Sequence, residues 1–233
     1  MRTHISRYQH PVAALFGSMF YAILFALVLA VVFLPGLWVR RVMQRYHTPG
    51  DLYPHDGAEV ARKLIEDLGL DVRVEEGEAR LDHYDPTTRT VRLSPENYAG
   101  HSLTAVTVAA HEVGHAMQHA GGYGPLMLRT SMARFAMVAE KLGAFALMAM
   151  PVVAVLTRSP VSGAAMLAIG IGSIAVGTLV HLVTLPVEWD ASFRRALPTL
   201  KNGDYLPERH LPHARKLLTA AALTYVAASL ASL

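Results

Sequence analysis

The chain has 233 residues, 52% of them hydrophobic, a positive mean hydropathy of +0.30 and a formal charge of +3. An ordinary soluble domain is less apolar, and the excess here is gathered into blocks, which points to a membrane protein. With no cysteine, disulfides and cysteine–metal sites are excluded; without a long Lys/Arg run there is no nucleic-acid footprint.

The first apolar block runs from Val12 to Leu34 without a charge. Roughly 20 helical residues cross a bilayer core, so residues 12–34 read as a transmembrane helix. The block is too long for a signal-peptide core. Pro35-Gly36 is expected to end it, with Trp38, Arg40 and Arg41 as interfacial anchors.

Residues 40–134 read as a small polar domain. Asp56 followed by Glu59 has the form of a capping box, Val60, Ala61, Leu64 and Leu68 follow helical spacing, and Gly69 is a stop. Val72 and Val74 alternate with charged residues as in a half-buried strand. Leu81–Tyr84 and Thr90–Ser94 flank Asp85-Pro86-Thr87-Thr88, which predicts a β-hairpin. An exposed edge of that hairpin is suited to binding an extended peptide, or else the hairpin only supports the next helix.

That helix, about 102–119, carries His111-Glu112-Val113-Gly114-His115, an H-E-x-x-H box. Residues four apart share a helical face, so both imidazoles reach one metal ion, and Glu112 stands where it can take a proton from water. This is the working part of a zinc hydrolase, with one Zn2+ per chain. Gly114 costs about 1 kcal/mol of helix propensity relative to Ala, which suggests close approach of a neighbouring element.

Residues 136–157 and 163–185 read as second and third transmembrane helices, and residues 217–233 as a fourth. Ser173 and Gly177 form a small-xxx-small pair, and His181 reads as a packed or interfacial residue. Four crossings place 40–134 and 186–215 on one side. That side holds most of the arginines and lysines; the other has Arg2, Arg7 and Arg158. The positive-inside rule puts the box on the cytoplasmic side of the cell membrane and the N-terminus outside.

A catalytic zinc usually takes three protein ligands. Glu188, just beyond the third span, is the best candidate for the third. Asp190 is a partner that accepts a hydrogen bond from a ligand imidazole, or the two exchange roles. Tyr225 is a candidate oxyanion stabiliser or an interfacial anchor. His83, His119, His210 and His213 read as surface or loop residues.

Five stretches together carry a family resemblance: residues 109–118 around the box, His83-Tyr84-Asp85-Pro86, Leu93-Ser94-Pro95, residues 185–192 and residues 221–226. They resemble the bacterial neutral zinc metallopeptidases of the YugP type. The resemblance implies a membrane-embedded zinc peptidase. With the apolar blocks and turn signals above, the expected fold is a mainly α integral membrane protein with about four transmembrane helices and a small α+β zincin-like cytoplasmic domain, with a β-hairpin before the box helix. The activity implied is a membrane-bound zinc endopeptidase of gluzincin-like arrangement, a glutamate on a later helix completing the ligand set. Its partners would be the lipid bilayer and a peptide or membrane-protein substrate. One departure stands out: the gluzincin E-x-x-x-D spacing is absent, since Ser192 occupies the position four after Glu188. The resemblance also leads one to expect residues beyond Leu233. The competing class is a non-proteolytic scaffold whose zinc clips helices together, for which a fourth protein ligand from His83 or Asp190 would speak.

Overall fold

The computed structural model describes residues 9–203 and 205–231; the side chains of residues 9–18, His181 and residues 225–231 fall outside it, and with them the candidate Tyr225. Helix α1 spans Gln9–Arg45. It does not stop at Pro35-Gly36. Proline removes one intrahelical hydrogen bond, but the turns beyond it are held by packing, with Val39 and Val42 buried in the core. The peptide bond between Thr48 and Pro49, in the connection that follows, is cis.

Helix α2 (Gly57–Asp67) begins at the capping box: Asp56 Oδ1 accepts from the Glu59 amide at 2.7 Å, and Glu59 Oε2 accepts from the Asp56 amide at 3.2 Å. Val60, Ala61, Leu64 and Ile65 are its buried face. Gly69 follows with φ of +61°, the left-handed turn that glycine adopts without penalty.

Three short strands follow: β1 (Arg73–Glu76), β2 (His83–Asp85) and β3 (Thr90–Leu93). β2 and β3 are the antiparallel hairpin, while β1 joins β3 in parallel, so the order is β1-β3-β2 and β2 is an edge strand. Val91 and Leu93 are fully buried against the helices, with Arg92 on the other face paired to Asp85 and Glu75. Helix α3 (Pro95–Tyr98) is a single turn.

Helix α4 (Leu103–Ala120) starts at Ser102, whose side chain accepts from the Ala105 amide, and ends at Gly121. Nearly all of it is buried, in a core shared with α2, β3, the end of α1 and the segment around Leu217 and Leu218. Burying one leucine such as Leu64 contributes about 1.5–3 kcal/mol.

Two long helices, α5 (Gly124–Thr157) and α6 (Pro160–Trp189), pack as an antiparallel pair around a turn at Arg158. A π-helical turn (Asp190–Ala196) continues α6 into α7 (Leu197–Asn202), and a 3-10 turn (Glu208–His210) leads into α8 (Leu211–Ala231). Among the described residues three helices are long and apolar enough to cross a membrane: Met19–Arg45, Gly124–Thr157 and Pro160–Asn202. The fourth apolar block lies in α8 and is not one of these; its Leu217, Leu218, Ala220 and Ala222 are buried in the protein.

Candidate metal centre

Helix α4 sets His111 and His115 one turn apart on the same face, with ring centroids 4.8 Å apart. Both are buried, as is Glu188 from the last turn of α6. Glu188 Oε2 lies 3.2 Å from His111 Nε2 and 3.4 Å from His115 Nε2. One donor atom from each residue falls within 4.8 Å of the others.

The far side of each imidazole fixes its tautomer. Gln118 Nε2 donates to the Val187 carbonyl at 2.8 Å and to Asp190 Oδ2 at 2.9 Å. A carbonyl only accepts, so the amide orientation is determined and Gln118 Oε1 must accept from His115 Nδ1 at 3.0 Å. On the other ring, the Ser192 hydroxyl donates to the Leu218 carbonyl and accepts from His111 Nδ1 at 3.1 Å. In the neutral rings both Nε2 lone pairs then face a carboxylate oxygen. Three buried lone pairs converging on one point form a group that could hold a metal cation. Two imidazoles and one carboxylate are also a zinc donor set.

Glu188 presents one oxygen to the histidines: Arg129 Nη1 on α5 donates to its Oε1 at 3.0 Å, leaving Oε2 towards them. Asp190 stands one step behind these three residues. It meets His115 through Gln118 and not directly, and accepts from Arg195 Nε at 2.7 Å.

Two local features let α6 supply these groups. The π-helical turn, with the Leu197 amide bonded to the Ser192 carbonyl, widens the helix where Asp190 and Ser192 leave it. Gly114 lets that turn approach α4, since a Cβ there would lie 2.7 Å from the Ala191 carbonyl oxygen. Ser192 thus occupies the sequence position of the gluzincin aspartate and orients one imidazole with a hydroxyl.

Glu112 is buried, and burial pushes its carboxyl up to about 7; Glu188 and Asp82 add to this, while His111 and Arg129 oppose it. It lines a cleft of about 780 Å3 together with the metal cluster, β2 on one side and α5 on the other. His83, on β2, lines this cleft with a buried Nδ1 that has no hydrogen-bond partner among the described residues. His119, His210 and His213 lie elsewhere, bonded to Tyr84, Tyr53 and Tyr46. Arg129, Gln118 and Ser192 were not singled out by the sequence as orienting groups, while Arg195, which the sequence offers as a partner of Glu188 or Asp190, pairs with Asp190. Gln118 carried a signal, a polar residue three after His115 on a helix otherwise buried. Arg129 carried none.

Comparison with known proteins gives a consistent picture. Residues 21–233 match the family model described as "Putative neutral zinc metallopeptidase". The chain is 41% identical over 179 residues to "Putative membrane protease YugP" of Bacillus subtilis (strain 168), covering 76% of each chain. No solved structure matches.

Proposed function

The chain belongs to the neutral zinc metallopeptidase family, and we propose that it is a membrane-bound endopeptidase that hydrolyses peptide bonds with one zinc ion held by His111, His115 and Glu188. The observation that carries this reading is the three-donor cluster beside a buried glutamate in an open cleft. A bound zinc ion supplies Lewis acidity, polarising a carbonyl and making a water deprotonable near pH 7.

The remaining work belongs to the chain. Ser192 and Gln118 keep both Nε2 lone pairs directed at the metal position, and Arg129 keeps Glu188 from turning both oxygens inward. Glu112 takes the water proton on its carboxylate and passes it to the amine as the C–N bond breaks. The products are one carboxylate and one amine. Strand β2, an edge strand along the cleft, offers unpaired backbone groups to an extended peptide.

A three-residue donor set leaves a position for water and substrate, which favours a hydrolase over a scaffold with a closed site. In the membrane, α1, α5 and α6 are the crossings this reading rests on; the fourth expected from the sequence would fall in α8, part of which is buried in the protein. The arginines around the site support a position on the cytoplasmic side, with Arg158 on the other. Maleimide labelling of Arg158→Cys, in a chain with no other cysteine, tests that orientation.

The decisive test of the activity is Glu112→Gln. It is expected to keep zinc at one per chain and to abolish hydrolysis of a labelled peptide library. Retained hydrolysis removes Glu112 from the mechanism, and a wild-type chain that binds no zinc removes the peptidase reading.

A further inference from the structure

This inference rests on the peptidase reading and concerns where its substrates come from. Helices α5 and α6 carry exposed large apolar side chains from their shared turn back to Phe135 on α5 (65% exposed) and forward to Leu182 on α6 (62% exposed); exposed Met127 and Leu128 lie further along α5, set apart from this belt by Arg129 and Arg134. Each stretch is about 22 residues, or ~33 Å, close to the ~30 Å of a hydrocarbon core. The metal centre lies beyond this belt at the same height on both helices. Arg129 is about six residues past Phe135 and Glu188 about six past Leu182, which is ~9 Å. Glu140 and Lys141 are the first charged pair inside the belt. If they mark the hydrocarbon edge, the distance grows to ~18 Å. Trp189, half exposed beside Glu188, sits at the level an interfacial tryptophan takes.

The cleft also faces sideways. It lies between Val39 and Met43 of α1 and Arg129 and Ala133 of α5. Helix α1 packs on α8 and α5 packs on α6, and no extended contact joins α1 to α5 among the described residues. The seam between them borders the cleft, which edge strand β2 also lines.

We propose that the substrates are membrane-anchored polypeptides, cut in an extended flank about three to six residues outside their hydrophobic span, the number that covers ~9–18 Å at ~3.3 Å per residue. The substrate's span rests in the bilayer beside the seam, and its flank rises along β2 past Glu112. Anchoring raises the effective concentration of the flank at the cleft, so anchored chains outcompete free ones.

The test uses the zinc-loaded full chain in lipid nanodiscs. The probe is a synthetic 20-residue Leu/Ala span followed by a 25-residue flank of degenerate sequence, and the control is the same flank without the span. Cleavage positions are mapped by mass spectrometry. The expected result is at least tenfold faster cutting of the anchored flank, with scissile bonds clustered about three to six residues from the span. Equal rates on the free flank, or cuts spread evenly along the anchored one, overturn the proposal and leave the peptidase reading intact. A second readout needs no turnover. In Glu112→Gln, a photo-crosslinking residue four places beyond the span is expected to label β2 or α5, and one fifteen places beyond is not. Labelling at both positions or neither overturns the proposal. Labelling at the near position without any wild-type cleavage supports the docking and removes the peptidase reading alone.

Discussion

Replacing Gly114 by alanine sets two effects of opposite sign against each other. In an isolated helix the change stabilises by about 1 kcal/mol. Here the new Cβ would meet the Ala191 carbonyl oxygen at 2.7 Å and its carbon at 3.3 Å. Ordinary contact begins near 3.4 Å, so α4 and the π-helical turn must part by about 0.7 Å, and backbone on both sides leaves no flexible group to give way. Overpacking of this kind costs about 1–3 kcal/mol, which cancels or exceeds the propensity gain. The larger effect falls on the metal. Ala191 lies between Glu188 and Ser192, and zinc sites hold their distances within about 0.2 Å. The expected outcome is zinc binding weakened about 10- to 100-fold with thermal stability changed little or lowered. Competition with a chromophoric chelator measures the first, and thermal unfolding in excess EDTA the second. Zinc affinity equal to wild type with a raised Tm would refute the argument, because it would mean that the close approach is not rigid.

Ser192→Ala removes the acceptor that orients His111 and should weaken zinc binding about 10- to 100-fold; unchanged affinity would show that the hydroxyl is dispensable. Chelation of the metal should lower the Tm of wild type, and the shift should vanish in His115→Ala, which has lost a ligand. Asp56→Ala breaks the capping box far from the site, so it should cost about 1 kcal/mol of stability and leave zinc affinity alone. Asp85 in the hairpin turn bears on acid stability. Burial, the largest single influence, raises its carboxyl, but hydrogen bonds from Thr88, Thr87 and Arg92 together outweigh it and bring it down to about 2. A carboxyl depressed in the fold stabilises above its unfolded value near 3.8, and that stability is lost as pH falls through about 2. The stability gap between wild type and Asp85→Asn, under about 1 kcal/mol for so exposed a group, should therefore close on acidification from pH 5 to 2. A gap independent of pH would assign the effect to the turn geometry instead.

The parts of this protein that were legible in the sequence are those set by near neighbours. A helical repeat puts His111 and His115 on one face whatever surrounds them, and the box names its own chemistry. Asp56 and Glu59 write their cap within four residues, and Asp85-Pro86 writes its turn within as few. The apolar blocks announce long helices because a bilayer demands length and composition alone. Where the sequence misled, packing had overruled a local preference. Pro35-Gly36 should end α1, yet the helix runs on because Val39 and Val42 bury against the core.

The completed site is a long-range arrangement. Glu188 reaches His111 across 77 residues, Ser192 reaches the same ring across 81, and Gln118 meets Asp190 across 72. No periodicity specifies these meetings. They depend on how α6 crosses α4, on the wider π-helical turn and on the missing Cβ of Gly114. The sequence by itself determined which residues can bind a metal and that long apolar helices lie beside them. Only the tertiary structure decided that Glu188 stands with the histidines while Asp190 stands behind Gln118, because short-range geometry fixes which face a side chain shares and only packing fixes what that face meets.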